Sequence, residues 1–193
     1  MTARRCITAP EGAAAARAAQ VRAAVPVIET ARLRLVAPRL DHLPLWTRLM
    51  VPDDAGLLGG PHTDEEAWEA FCVYTAGWLL HGHGAWAVEG RDDGAHLGFV
   101  HVGLEWGDAE PELGFMFAPE ARGAGFATEA ARAARDAGTA LFGAEGLVSY
   151  VAATNAASAR LAARLGARRD AAAEAAIGEP DLQVWRHRAE APA

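Results

Sequence analysis

The sequence predicts a single mixed α/β domain built around one sheet. Three observations carry this reading. Short segments of period-2 alternation are interleaved with segments of helical period, in the order β-α-α-β-β-β-α-β-α-β-β. The 193 residues, 51% of them apolar, suit one compact domain with a sizeable core. Residues 112–142 run strand, glycine-rich turn, helix, the most distinctive passage in the chain. Much of the apolar content is alanine, so six Trp and six Phe must supply much of the buried bulk.

Residues 1–26 stand apart. The stretch 11–24 is nearly all Ala, Arg and Gln, with helix propensity but no large apolar face, so a loosely attached helix or a disordered extension is expected. The domain is expected over 27–188, with 189–193 a tail. It opens near Ile28, where Leu33, Leu35 and Ala37 alternate with Arg32, Arg34 and Val36 in a strand that Pro38 ends. Asp41 reads as the N-cap of a helix through Met50 carrying Leu43, Trp46 and Leu49. A Pro/Gly-rich loop fills 51–62. Thr63, with Asp64, Glu65 and Glu66 behind it, opens a second helix at its positive dipole end; this helix carries Trp68, Phe71, Cys72, Thr75 and Leu79 on one side, and residues 81–84 end it. Residues 85–89 and 97–105 read as a hairpin about the turn Arg91-Asp92-Asp93-Gly94. A strand over 112–117, a helix over 125–142 closed by Gly143, a strand over 148–152 and a helix over 155–165 closed by Gly166 follow. Strands over 168–173 and 181–186 complete the sheet.

The net charge of −7 gives no global basic footprint for nucleic acid. Cys6 and Cys72 are far apart in sequence and outside any metal-ligand spacing, which argues against a disulfide framework or a cysteine-based zinc site. His81 and His83 sit in a Gly-rich turn without a third ligand and read as loop, so no metal is expected. No apolar run reaches the roughly 18 residues of a membrane span, and the first residues lack a secretory apolar stretch. A cytoplasmic protein with no membrane or nucleic-acid partner is the expectation.

The glycines at 123 and 125 let the backbone turn sharply and let a ligand approach closely. The helix that follows presents unpaired N–H groups and a positive dipole end, which together suit an anion, most often a phosphate. Arg122 adds a fixed charge. The plainer reading is a strand–helix turn with glycines for packing. A dinucleotide fold fits poorly, because position 128 is Thr rather than a third Gly and most of the chain precedes the turn. A Walker A loop is excluded, since all 18 basic residues are Arg.

The run Arg122-Gly123-Ala124-Gly125-Phe126-Ala127 resembles the Gln/Arg-x-x-Gly-x-Gly/Ala motif of the GNAT superfamily of acetyltransferases. Thr30-Ala-Arg-Leu-Arg-Leu resembles that family's opening strand, and Gly59-Gly60-Pro with Thr63-Asp64-Glu65-Glu66-Ala67 its second helix. Gly84-Ala-Trp86-Ala-Val, Leu97-Gly98 and Glu112-Leu-Gly-Phe resemble its central strands, and Asn155-Ala-Ala-Ser158 through Ala167 the motif that follows. The likeness covers about residues 28–187 and is nearest to the RimJ/RimL-like branch. It implies a mostly antiparallel sheet splayed between the fourth and fifth predicted strands, and acetyl-CoA as cosubstrate. The pyrophosphate would lie on the backbone of Gly123, Ala124, Gly125, Phe126 and Ala127, with Thr128, Asn155 and Arg122 beside them. The pantetheine arm would run along Phe115, Met116 and Phe117. Relatives often carry Arg or Lys where Ala124 stands, which shifts weight onto Arg122. Dimers are frequent in the family, so a homodimer is among the expected states.

Transfer to an amine needs the neutral amine, which for an alkyl amine at pH 7 is about one part in a thousand, a handicap of roughly 4 kcal/mol. A carboxylate can take that proton. Glu112, at the start of the strand that feeds the turn, is the first candidate; His101 and Glu105 are reserves. The plainer reading of Glu112 is a surface strand glutamate. Ser158 is the candidate proton donor to the leaving thiolate, or else helps Asn155 cap its helix. Tyr74 and Tyr150 do not stand where the family places its tyrosine acid. Trp106 is expected to line the acceptor pocket, whereas Trp46, Trp68, Trp78 and Trp86 read as core. Two function classes follow: an N-acetyltransferase acting on a protein N-terminus or a small amine, or a domain that holds acyl-CoA as a sensor without turnover.

Overall fold

The alternating segments pair into one eight-stranded sheet: β1 (Ile28–Glu29), β2 (Leu33–Val36), β3 (Gly84–Gly90), β4 (His96–Gly103), β5 (Glu112–Phe117), β6 (Leu147–Ala152), β7 (Arg168–Arg169) and β8 (Leu182–His187). This computed structural model describes residues 4–52, 60–143 and 146–187. The spatial order is β1-β2-β3-β4-β5-β6-β8-β7. Neighbours are antiparallel except β5 and β6, which are parallel and register at one position only, Glu112 opposite Val148. The sheet therefore parts beyond that pair, as expected for the fourth and fifth predicted strands.

Helices α1 (Gly12–Arg22), α2 (Leu43–Met50), α3 (Asp64–Leu80), α4 (Phe126–Phe142), α5 (Ala156–Arg164) and α6 (Ala171–Ile177) accompany the sheet. The core joins Leu33, Leu35, Trp86, Phe99, Val100 and Leu113 of the strands to Ala130, Ala131 and Ala134 of α4. Small residues let α4 lie close: a Cβ at Gly138 would stand 2.7 Å from Leu147 and 2.8 Å from Val102. Trp46 packs edge-on against Phe71 and Phe99, with ring centroids 5.6 and 5.0 Å away, and fixes α2 and α3 to β4.

The Thr63 start of α3 forms as read. Thr63 Oγ1 accepts from the Glu66 N–H at 3.2 Å, and Glu66 Oε2 accepts from the Thr63 N–H at 2.7 Å, a capping box. The face it buries differs from the expectation. Ala67 and Phe71 are buried, with Tyr74 and Trp78 packed beside them, while Leu79 is 77% exposed. Spacing 67-71-74-78 follows one helical stripe, which a helix with apolar residues on all sides beyond its first turn does not reveal in advance.

Other boundaries also move. Asp41 is not a helix cap: it lies in a 3₁₀ turn, Leu40–His42, in which His42 Nδ1 accepts from the Arg39 N–H at 3.0 Å and His42 Nε2 meets Glu89 Oε1 at 3.0 Å. The expected strand over 168–173 is only Arg168–Arg169, because Asp170 accepts from the Ala173 N–H and starts α6 instead. The third predicted strand ends at Gly103 rather than 105. The short β1 extends the sheet by one strand that alternation alone does not mark. Helix α1 buries no residue, whereas the Pro26 carbonyl accepts from Trp86 Nε1 at 2.8 Å. The middle of the 51–62 loop and the proposed tail 189–193 lie outside the described residues.

Candidate active site

The parting of β5 and β6 is held open by side chains. The Val148 N–H still reaches the Pro111 carbonyl at 3.0 Å. One step further, Ser149 Oγ donates to the Leu113 carbonyl at 2.6 Å, and the Tyr150 N–H reaches Glu112 Oε1 at 3.4 Å. His187 Nε2, 2.9 Å away, donates to the same Ser149 oxygen. Backbone groups facing the gap alternate along β5 with those that pair with β4. Leu113 faces the gap, so the N–H and C=O of Phe115 face it as well, while the Met116 carbonyl points toward Gly98 of β4.

A cavity of about 310 Å³ fills this parting. Glu112, Phe115, Met116, Asn155 and Ser158 all line it, as do His101 and Glu105, so the structure brings these sequence candidates into one space. Phe117 and the residues from Arg122 to Thr128 are not part of its lining. Burial pushes the Glu112 carboxyl up to about 8, and the charges of Glu105 and Asp108 add to the shift. Glu105, just past β4, accepts a hydrogen bond from the Tyr74 hydroxyl, and burial raises its carboxyl too. Among the described residues, no arginine forms an ion pair with Glu105, Asp108 or Glu112; Glu110 differs, since Arg186 grips it at 2.7 and 2.8 Å. His101 is held near 4 by burial and is therefore neutral at pH 7.

Asn155 Oδ1 accepts from the Ser158 N–H at 3.1 Å, which makes Asn155 the cap of α5 and leaves the Ser158 hydroxyl uncommitted to that bond. Trp106 departs from expectation. A tight turn, with the Glu105 N–H on Asp108 Oδ2 at 2.7 Å and Gly107 at a φ of 101°, sends the indole outward, fully exposed and outside the cavity lining. Trp46, read as core, is both buried and part of the lining.

The turn before α4 stands in the open. Arg122, Gly123, Ala124 and Gly125 are exposed, and the two glycines adopt φ of 80° and 82°, a left-handed region that a side chain would strain. Gly125 caps α4 without any side-chain acceptor, and the first helical bond is from the Glu129 N–H to the Gly125 carbonyl. The N–H groups of Phe126, Ala127 and Thr128 thus start the helix with no intrahelical acceptor. Arg164 Nε donates to Thr128 Oγ1 at 3.5 Å, which puts a cation beside the first turn of α4.

A family model for the acetyltransferase (GNAT) domain matches residues 32–168. The chain belongs to the GNAT acetyltransferase family. The GNAT fold recurs in solved structures. An acetyltransferase from Agrobacterium tumefaciens is 30% identical, with a TM-score of 0.79 over 86% of this chain and 95% of that one. A GNAT-family acetyltransferase from Bordetella pertussis is 24% identical, with a TM-score of 0.67 over 85% and 99%. RimL, a ribosomal L7/L12 alpha-N-protein acetyltransferase solved in complex with coenzyme A, is 14% identical, with a TM-score of 0.63 over 86% and 100%. No curated protein sequence matches significantly.

Within this GNAT domain the sequence reading missed Arg32, Tyr74 and Ser149. Their partners, Glu129, Glu105 and Leu113, lie 97, 31 and 36 residues away. Only the Thr30-Ala-Arg-Leu segment carried a signal for Arg32, and it gave no partner. Two groups of side chains bring metal-capable atoms within 4.8 Å, His42 with Glu89 and His96, and His101 with Glu105 and Glu112. In the first, Glu89 already holds Arg39 at 2.8 Å and His42. No helix among the described residues is long and apolar enough to cross a membrane.

Proposed function

We propose that this GNAT protein moves an acetyl group from acetyl-CoA to a primary amine by direct attack, with Glu112 as general base. One observation carries the reading: a carboxyl raised to about 8 stands where β5 and β6 part, in the cavity along which the β5 backbone faces an open gap. A base of that strength is matched to an ammonium near neutral pH, where proton transfer contributes most. The uncapped N–H groups after Gly125, with Arg122, suit the donor's pyrophosphate. The Phe115 N–H is directed toward the gap, where it would stabilise the developing oxyanion of the thioester.

Glu112 takes the proton from the acceptor ammonium. The freed nitrogen forms its bond to the acetyl carbon, the C–S bond breaks, and the thiolate leaves with the electron pair. Ser158, in the same cavity, gives its hydroxyl proton to the thiolate and takes the second proton of the attacking nitrogen in its place, so that a neutral amide and a free thiol leave. Glu105 and Asp108, which no arginine among the described residues pairs, favour an acceptor that arrives as a cation. The RimL neighbour, by its description an alpha-N-protein acetyltransferase, acts on an amine of that kind. Two free cysteines fit a reducing, cytoplasmic setting. The test is release of free thiol from acetyl-CoA in the presence of a panel of amines: diamines, aminosugars, amino acids and peptide N-termini. Amine-dependent thiol release supports the reading; tight acetyl-CoA binding with no release for any amine contradicts it.

A further inference from the structure

The turn between β1 and β2 is tied to the glycine turn by a set of bonds that no sequence spacing shows. Glu129, in the first turn of α4, accepts from the Thr30 hydroxyl at 2.6 Å and from the Arg32 N–H at 2.9 Å on one oxygen. Its other oxygen accepts from Arg32 Nε at 2.8 Å and lies 2.7 Å from Arg32 NH2, so two guanidinium nitrogens share that one oxygen. The remaining arm of Arg32, NH1, donates to the Ala124 carbonyl at 2.9 Å, and the guanidinium lies 4.5 Å from the centre of the Phe126 ring. Every arm of this guanidinium is engaged on the turn or on the helix behind it.

We propose that Arg32 and Glu129 are positioning residues for the acetyl donor, setting the phosphate-binding turn without contacting the donor's reacting atoms. This rests on the reading above that acetyl-CoA is the donor. Two physical effects combine. Pulling the Ala124 carbonyl toward Arg32 turns the following peptide N–H, that of Gly125, the opposite way, toward the face where an anion would sit. A bare carboxylate in the first turn of α4 would repel that anion, and Arg32 neutralises it. Lysine cannot replace this arrangement, since an ammonium lacks the planar fork that spans a carboxylate and a carbonyl together.

The experiment compares two donors, acetyl-CoA and acetyl-pantetheine, which lacks the pyrophosphate, in the wild type, R32K, R32A, E129Q and the R32A/E129Q double variant. The reading is the ratio of kcat/KM for the two donors, with Tm followed in parallel. R32A should lower that ratio about tenfold or more, the size expected of one hydrogen bond to a charged group, with the change in KM for acetyl-CoA rather than in kcat. R32K should lower it in the same direction, and it decides the matter if R32A does not fold. The double variant should regain part of the ratio, because the exposed carboxylate is then gone. A merely structural brace would lower both donors alike and leave the ratio fixed, which overturns the proposal, as does a double variant no better than R32A. A wild type that turns over neither donor would instead count against acetyl-CoA as the donor.

Discussion

Replacing Glu112 by glutamine tests activity and stability together, and the two should move in opposite directions. The folded protein carries this carboxyl from 4.5 to about 8. Below pH 4.5 both the folded and unfolded chains hold it protonated. As the pH rises from there, the unfolded chain gives up the proton and the folded chain keeps it, so the native state binds more protons and stability falls until the folded group also ionises near 8. At about 1.4 kcal/mol per pH unit, the loss accumulated by pH 7 approaches about 3 kcal/mol. Glutamine carries no such penalty. E112Q should therefore raise Tm at pH 7 by something on the order of 5–10 °C, and by nothing near pH 4, for a domain of this size. The same variant should lose about 10²–10⁴ in kcat and the acid limb of the pH–rate profile with its midpoint near 8. Thermal scans at three pH values and a pH–rate profile measure both. An E112Q enzyme with wild-type kcat, or with an unchanged pH dependence of Tm, would refute Glu112 as a strained general base.

Three further outcomes follow from the structure. His42, His101 and His187 are each held near 4 by burial, so below about 6.5 the unfolded chain binds more protons than the native one and stability should fall toward pH 4; an acid limb absent from the Tm–pH curve would contradict neutral buried histidines. T63A removes the capping box of α3 and should cost about 1 kcal/mol in urea unfolding while leaving kcat/KM alone, since Thr63 lies outside the cavity lining. G125A forces a side chain into a φ of 82° and should cost about 1–2 kcal/mol together with acetyl-CoA affinity; calorimetry showing wild-type affinity would mean the left-handed turn is dispensable.

Much of the fold was legible because its signals are local. The strand at Glu112–Phe117 came out with its bounds intact, because a short run of bulky apolar residues, a following Pro and the glycine turn all agree. The Thr63 start of α3, the Asn155 cap and the Gly143 stop were equally local. The failures share another cause. The start of α6 was lost because Asp170 was read within a strand over 168–173 rather than as a cap, and the buried face of α3 because apolar residues surround that helix on all sides beyond its first turn. Glu112, Ser158 and Phe115 were singled out through the order of motifs, and the structure places all three in the lining of one cavity. What raises the Glu112 carboxyl, however, is its own burial, with the charges of Glu105 and Asp108 from the loop after β4 adding to it. What shapes the turn is Arg32 from the opposite end of the domain. Those are facts of tertiary contact that spacing does not encode.

The most direct test is calorimetric titration of acetyl-CoA into the wild type and into R122E. Saturable binding that weakens in R122E is the predicted result, with a phosphate-bearing donor seated at the turn before α4 and the gap between β5 and β6 as its path to Glu112. No binding by the wild type, or identical binding by both proteins, would mean that the turn is only a turn.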